Sequence, residues 1–161
     1  MFKIRADFNE TFEVKANLVK VRAFYTDVKN FIDLMPGIES IHADSNGIIH
    51  WKIRANVPFV GSFTEKFSVI ESENTDERVE WTPAERDGFN LMRYAADFFP
   101  KGDQVTLVQY SQNVELRRNS ASDLHFLAGL AGERTISGEM TRRISEMLHK
   151  FIEQSRLQLE N

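Results

Sequence analysis

The chain has 161 residues, 42% of them hydrophobic and 27% charged, which is ordinary for a globular domain long enough to bury a core without disulfides or a structural metal. Its net charge of -4 and lack of a basic block argue against a phosphate-backbone partner, and the absence of Cys removes disulfide, thiolate-ligand and Cys-nucleophile chemistry. No apolar run approaches the roughly 18 residues of a membrane span and the amino end offers no signal-peptide core, so a single cytoplasmic domain over 1–161 is expected.

The first strand is the clearest local signal. Phe2, Ile4, Ala6, Phe8, Phe12 and Val14 alternate with polar residues from Lys3 to Lys15, the period of a half-buried strand, and Glu10 alone interrupts the apolar side. Asn17 then caps a short helix carrying Val19, Val21, Phe24 and Tyr25, and Asp27 caps a second with Phe31, Ile32, Leu34 and Met35. Pro36-Gly37 ends it, because proline disfavours helical geometry in Met35 and glycine permits a sharp exit.

Turn clusters at 45–47, 58–61, 74–76, 87–88 and 100–102 punctuate the next stretch and predict six more strands, over 38–44, 47–56, 62–73, 77–84, 88–99 and 103–117. Consecutive hairpins of this kind form an antiparallel meander. Beyond Arg118, Ser120 and Ser122 offer caps, and Leu127, Leu130, Ile136, Met140, Ile144, Met147, Leu148, Phe151 and Ile152 recur at helical spacing. Gly129, Gly132 and Gly138 are placed to loosen or break the first half of this helix. Glu139, Glu146, Glu153 and Glu160 fall seven apart, with Arg143 and Lys150 four residues after the first two, as on a solvated face supported by ion pairs.

This order predicts an α+β fold: a seven-stranded curved antiparallel sheet, two short helices, and a long C-terminal helix across the concave face. One helix is too narrow to fill so wide a concavity, so an apolar cavity is expected beneath it, the usual setting of a small-molecule site.

The order of elements resembles the START/Bet v 1-like (SRPBCC) helix-grip superfamily, which includes polyketide cyclases and aromatases. Within it, Met35-Pro36-Gly37-Ile38-Glu39-Ser40-Ile41, Val57-Pro58-Phe59-Val60-Gly61-Ser62-Phe63 and Gly129-Leu130-Ala131-Gly132-Glu133-Arg134-Thr135-Ile136 look like the branch of carbon-monoxide-dehydrogenase accessory proteins. The resemblance implies a ligand of lipid, polyprenyl quinone or polyketide type and no resident cofactor.

Strand alternation names the residues that should face the ligand. Trp51 and Ile53 share a face with Ile49 and Ala55; Phe63, Glu65, Phe67 and Val69 share the next; Trp81 pairs with Val79; and Tyr110 and Gln112 lie with Val108, Val114 and Leu116. In the sixth strand either Met92, Tyr94, Ala96 and Phe98 or Phe89, Leu91, Arg93 and Ala95 point inward. Met140, Ile144 and Met147 would form the lid, where flexible Met side chains adapt to irregular guests.

Glu65 is a carboxylate in an aromatic row, and desolvation requires that it be paired, hydrogen-bonded or protonated. It is therefore the candidate catalytic or orienting group, with Glu10, Gln112 or Arg93 as helpers. The plain alternatives are pairing with a nearby Arg for Glu65 and a side chain reaching water for Glu10. The aromatic residues serve equally as core or as cavity wall.

His42, His50, His125 and His149 show no metal-ligand spacing, and neither a Gly-x-Ser-x-Gly sequence nor a phosphate-binding glycine loop is present.

The leading expectation is a non-catalytic binder or carrier of a hydrophobic small molecule, compatible with transient membrane or protein contact. The alternative is a cyclase or dehydratase in which Glu65, Tyr94 or Tyr110 moves protons. A third reading, a protein or ribosome interaction module, would call for a one-sided charged surface.

Overall fold

A computed structural model of the chain describes residues 1–57, 61–125 and 127–161. Positions 58–60 of the expected 58–61 turn, and residue 126, lie outside the described residues.

Strand β1 (Phe2–Val14) buries Ile4, Ala6, Phe8, Phe12 and Val14, as its alternation demands. The chain then turns into α1 (Leu18–Thr26), where the Asn17 side chain accepts the N–H of Lys20 at 2.8 Å. A short α2 (Lys29–Leu34) follows; its N-cap position is Val28, while Asp27 accepts from the Lys29 N–H at 3.0 Å. Met35 is extended ahead of Pro36, and Gly37 takes a φ of 90° that an L side chain rarely adopts.

Strands β2 (Ile38–Ala43), β3 (Ile49–Val57), β4 (Gly61–Asn74), β5 (Arg78–Pro83), β6 (Asn90–Gly102) and β7 (Val105–Arg118) follow as an antiparallel meander. The sheet order is β1-β7-β6-β5-β4-β3-β2, so β1 closes onto the last strand of the meander. The expected turn at 100–102 moves to 103–104, because Pro100 and Gly102 are absorbed into a register shift at the end of β6.

After a 3-10 turn at Ala121–Asp123, closed by reciprocal Ser120 and Asp123 hydrogen bonds, come α3 (Ala128–Ala131) and α4 (Glu133–Leu159). Gly132, with φ at 84°, separates the two helices, whereas Gly138 sits inside α4 without interrupting it. Ile136, Met140, Leu148, Phe151 and Ile152 form the buried stripe of α4.

Side chains of α4 and of Glu160 just beyond it also occupy backbone groups along the edge strand β1 and at Lys15 just past its end. Glu133 accepts from the Lys3 N–H at 2.8 Å, Ser137 from the Arg5 N–H at 3.1 Å, and Glu160 from the Lys15 N–H at 3.1 Å, while Thr141 donates to the Arg5 carbonyl at 3.5 Å. Such covering protects a free edge from pairing with another chain. On the exposed face of α4, Arg142 rather than Arg143 makes the short ion pairs, reaching Glu139 and Glu146 at 2.8 Å each.

Candidate functional site

The concave side of the sheet divides into a solid half and a hollow half. In the solid half, Phe31 stacks on Phe151 with ring centres 4.7 Å apart, Trp81 stacks on Tyr94 at 4.5 Å, and Trp51 meets both Phe31 and Tyr94 at 5.5 Å. Tyr25 joins from α1, with its hydroxyl 2.6 Å from that of Ser155 on α4.

The hollow half lies beneath the first half of α4. Its walls are Ile53 and Ala55 of β3, Phe63, Glu65 and Phe67 of β4, and Gln112, Val114 and Leu116 of β7; Met35 and Leu148 close the end nearest the aromatic core, and Met140, Arg143, Ile144 and Met147 form the roof. Its free volume is about 50 Å³. A drug-sized guest occupies a pocket of about 300–1,000 Å³, so occupation by such a molecule requires the roof to move outward.

Of the residues expected to face a ligand, Ile53, Phe63, Glu65, Phe67, Gln112, Met140, Ile144 and Met147 are brought together around this hollow. Trp51, Trp81, Tyr94 and Tyr110 point inward but do not line it. Trp51, Trp81 and Tyr94 pack against one another and on Phe31, and Tyr110 packs against Phe8 and Tyr25, so all four become core and not cavity wall. Trp51 Nε1, Trp81 Nε1 and the Tyr94 hydroxyl have no hydrogen-bond partner among the described residues, each a cost borne inside the core. Burial pushes the Tyr94 and Tyr110 hydroxyls well above the usual tyrosine range; repulsion from Tyr110 adds to the rise at Tyr94, and repulsion from Tyr25 to that at Tyr110, so both stay protonated.

The sixth strand settles with Met92, Tyr94, Ala96 and Phe98 inward. Arg93 faces out, paired with Glu80, which also binds Arg78 at 2.8 Å; Arg78 in turn reaches Asp97 at 2.6 Å. Arg93 is thus no helper to Glu65. Glu10 is not one either: it stands 2.9 Å from His149 at the rim between β1 and α4, as a long side chain can.

Glu65 is paired by two groups that alternation alone does not connect with it. Arg118 Nη2 donates to one carboxylate oxygen at 2.8 Å and Asn90 Nδ2 to the other at 2.6 Å. Asn90 also donates to the Lys66 carbonyl at 3.0 Å and accepts from Arg118 at 2.8 Å. The cluster fills a gap in the sheet. β5 pairs with β4 only over Val69–Asn74 and with β6 only over Tyr94–Asp97, so the first part of β4 and the start of β6 have no strand between them. Glu65, Asn90 and Arg118 bridge that gap beside the hollow.

Two further polar groups line the hollow. Gln112 is buried; it accepts from the Tyr110 hydroxyl at 2.8 Å, and its amide has only the Met92 sulfur, at 3.5 Å, as an acceptor among the described residues. Arg143 in the roof has a buried Nε without a hydrogen-bond partner among the described residues, and its Nη1 stands 3.6 Å from Glu146. The heptad-like charge pattern assigns Arg143 to the solvated face. Its spacing of three from Met140 and four to Met147 is the signal that it belongs to the roof.

On the convex face Asp44, His50 and Ser68 form a chain in the order of a nucleophilic relay, with His50 2.9 Å from Asp44 and 3.0 Å from Ser68. Asp44 also accepts the N–H groups of Asn46 and Ile48, and these bonds, led by that from His50, hold its carboxyl below the usual range. This is the architecture of a fastened hairpin turn. Among the described residues no three His, Asp or Glu side chains gather as metal ligands would, and no helix is long and apolar enough to cross a membrane.

A curved seven-stranded antiparallel sheet gripping a long C-terminal helix over a partly hollow interior is the START/Bet v 1-like helix-grip fold. Solved structures with this fold superpose on nearly the whole chain. The aromatase/cyclase ZhuI from Streptomyces sp. R1128 is 13% identical with a TM-score of 0.63, over 94% of this chain and 93% of that one. A START superfamily protein from Mycobacterium smegmatis is 14% identical with a TM-score of 0.57, over 92% and 97%. The di-domain aromatase/cyclase StfQ from the steffimycin biosynthetic pathway is 8% identical with a TM-score of 0.64; 98% of this chain is covered, and it spans 51% of StfQ. No protein-family model matches the chain, and no curated protein matches it in sequence. At these identities the likeness is one of fold, and that to the carbon-monoxide-dehydrogenase accessory proteins stays a resemblance.

Proposed function

We propose that residues 1–161 act as one cytoplasmic ligand-binding domain that holds or carries a hydrophobic small molecule of lipid, quinone or polyketide type beneath α4. The observation that carries this reading is the composition of the hollow. Ten of its fourteen lining residues are Met, Ile, Phe, Val or Leu, and its polar side chains are Glu65, Gln112 and Arg143 alone among the described residues. An apolar wall with a few fixed polar groups is the make-up of a small-molecule site. The roof supports it too, since Met140 and Met147 can repack around a guest larger than the present free volume. Two of the superposed structures are aromatase/cyclases, which agrees with a polyketide-like guest.

Native mass spectrometry of freshly purified protein, followed by a panel of lipids, quinones and polycyclic aromatics, tests the proposal. The expected result is a retained or acquired apolar molecule. A ligand at about 100 times its Kd stabilises by about 2.7 kcal/mol, which raises Tm by about 5–11 °C for a chain of this size. Absence of both retained mass and any thermal shift across the panel would end the reading.

The second reading, a cyclase or dehydratase, is favoured by one fact: Glu65, Gln112 and Arg143 border the same hollow. It expects Glu65→Gln to abolish turnover of a poly-carbonyl substrate while leaving its affinity largely intact.

A further inference from the structure

We infer that the guest is an amphiphile with a single carboxylate, its apolar tail in the hollow and its acid group held at Arg143 in the mouth. This rests on the proposed ligand-binding role and adds the chemical class of the ligand.

A guanidinium carries five donors and stays charged, so a buried N–H of this group with no acceptor is an expensive arrangement unless something else supplies one. Arg143 Nε is such a group, and Arg143 lines the hollow. The roof around it is Met140, Ile144 and Met147, none of which can accept a strong hydrogen bond.

The second observation is a groove on the outside of the same roof. It has a free volume of about 240 Å³ and shares Ala55, Arg143 and Met147 with the hollow, so these three side chains are the partition between inside and outside. Its charged lining is Arg54, Arg143, Lys150 and Glu146. Lys150 makes no ion pair among the described residues, and Arg54 has only a distant one, 4.0 Å from Glu39. Three cations against one lining carboxylate is a local excess of positive charge on a chain whose net charge is -4. An anion is drawn to this mouth and away from the rest of the surface.

Geometry and charge then select the head group. A guanidinium presents parallel N–H donors that match the two oxygens of a carboxylate. Glu146 and Glu39 already offset part of the excess, which suits one negative charge better than two. A neutral tail alone would leave the Arg143 Nε without a partner, and a free small anion would leave the apolar hollow unfilled.

Calorimetric titration of the full chain with decanoate, decan-1-ol and decyl phosphate, at fixed salt and neutral pH, tests this. Decanoate is expected to bind about tenfold more tightly than decan-1-ol, and Arg143→Gln to remove that margin while leaving decan-1-ol within about twofold. Arg143→Lys, which keeps the charge and loses the Nε–H, is expected to weaken decanoate by about threefold or more and so serves if the Gln variant folds poorly. Equal affinity for acid and alcohol, or equal weakening of both by Arg143→Gln, overturns the assignment and leaves the hydrophobic carrier standing. Tighter binding of decyl phosphate than of decanoate overturns the carboxylate in favour of a phosphate. Failure of all three probes to bind, with the wider panel also negative, removes the carrier reading itself.

Discussion

Replacing Glu65 by Gln separates its structural from its chemical part. The carboxylate accepts from Arg118 at 2.8 Å and from Asn90 at 2.6 Å, and the Glu65 and Arg118 side chains are only 18% and 15% exposed. Gln keeps the shape, loses the charge and can accept at one oxygen only, so either Arg118 or Asn90 is left with a donor facing the amide NH2, and the largely buried Arg118 loses its counter-charge. Hydrogen bonds to charged groups contribute about 1.5–3 kcal/mol, and partial solvent access favours the lower half of that range. A loss of about 2 kcal/mol corresponds to a fall in Tm of about 4–8 °C for a domain of this size. Differential scanning calorimetry of wild type, Glu65→Gln, Arg118→Met and the double variant provides the measurement. The double variant is expected to be less damaged than the sum of the singles by about 1–2 kcal/mol, because the two residues share one interaction. A Glu65→Gln melt within about 1 °C of wild type, or strictly additive losses, would refute the view that this cluster closes the sheet where β5 falls short.

Phe151→Ala removes the ring stacked on Phe31 from a fully buried position and is expected to cost about 3–5 kcal/mol, seen as a fall in the denaturation midpoint; a cost below about 1 kcal/mol would show that the aromatic half is not solid. For Glu80, burial pushes the carboxyl pKa up, but hydrogen bonds and charge from Arg78 and Arg93 outweigh it and hold the carboxyl below its usual range. A depressed folded value means that the Glu80 contribution is present above the unfolded pKa of about 4.3 and is lost as pH falls through the folded one. Glu80→Gln should therefore destabilise at neutral pH and converge on wild type in acid, and parallel stability curves between pH 6 and pH 3, about the window of this titration, would contradict that sign.

The strand pattern is legible because alternation survives wherever one face is buried. Phe2 to Val14, Ile49 to Ala55 and Phe63 to Val69 all fall on the expected side. The turn residues mark most strand ends, but Pro100-Lys101-Gly102 mislead, since a register shift lets β6 run through them. Alternation tells which side a residue faces and says nothing about what lies opposite. Trp51, Trp81, Tyr94 and Tyr110 do turn inward, yet whether they meet a guest or other rings depends on Phe31, backed by Phe151, and for Tyr110 on Phe8 and Tyr25, which arrive from elements far away in the chain. The partners of Glu65 are hidden for the same reason, because Asn90 and Arg118 become its neighbours only through the shortness of β5. Arg143 is misplaced by a heptad of glutamates that Arg142 in fact serves.

The stitching of α4 to β1 makes one flank of the helix the more firmly held. Glu133, Ser137 and Thr141 fasten the first turns of the helix to Lys3 and Arg5, and Glu160 fastens its far end to Lys15. On the opposite flank, Met147 merely rests near Gly37, close enough that an added methyl there would meet its terminal carbon at 3.0 Å. A beam bolted along one side would lift at the other, so a guest of the proposed kind would pass Met147 and Arg143 while the outer edge of β1 stays covered.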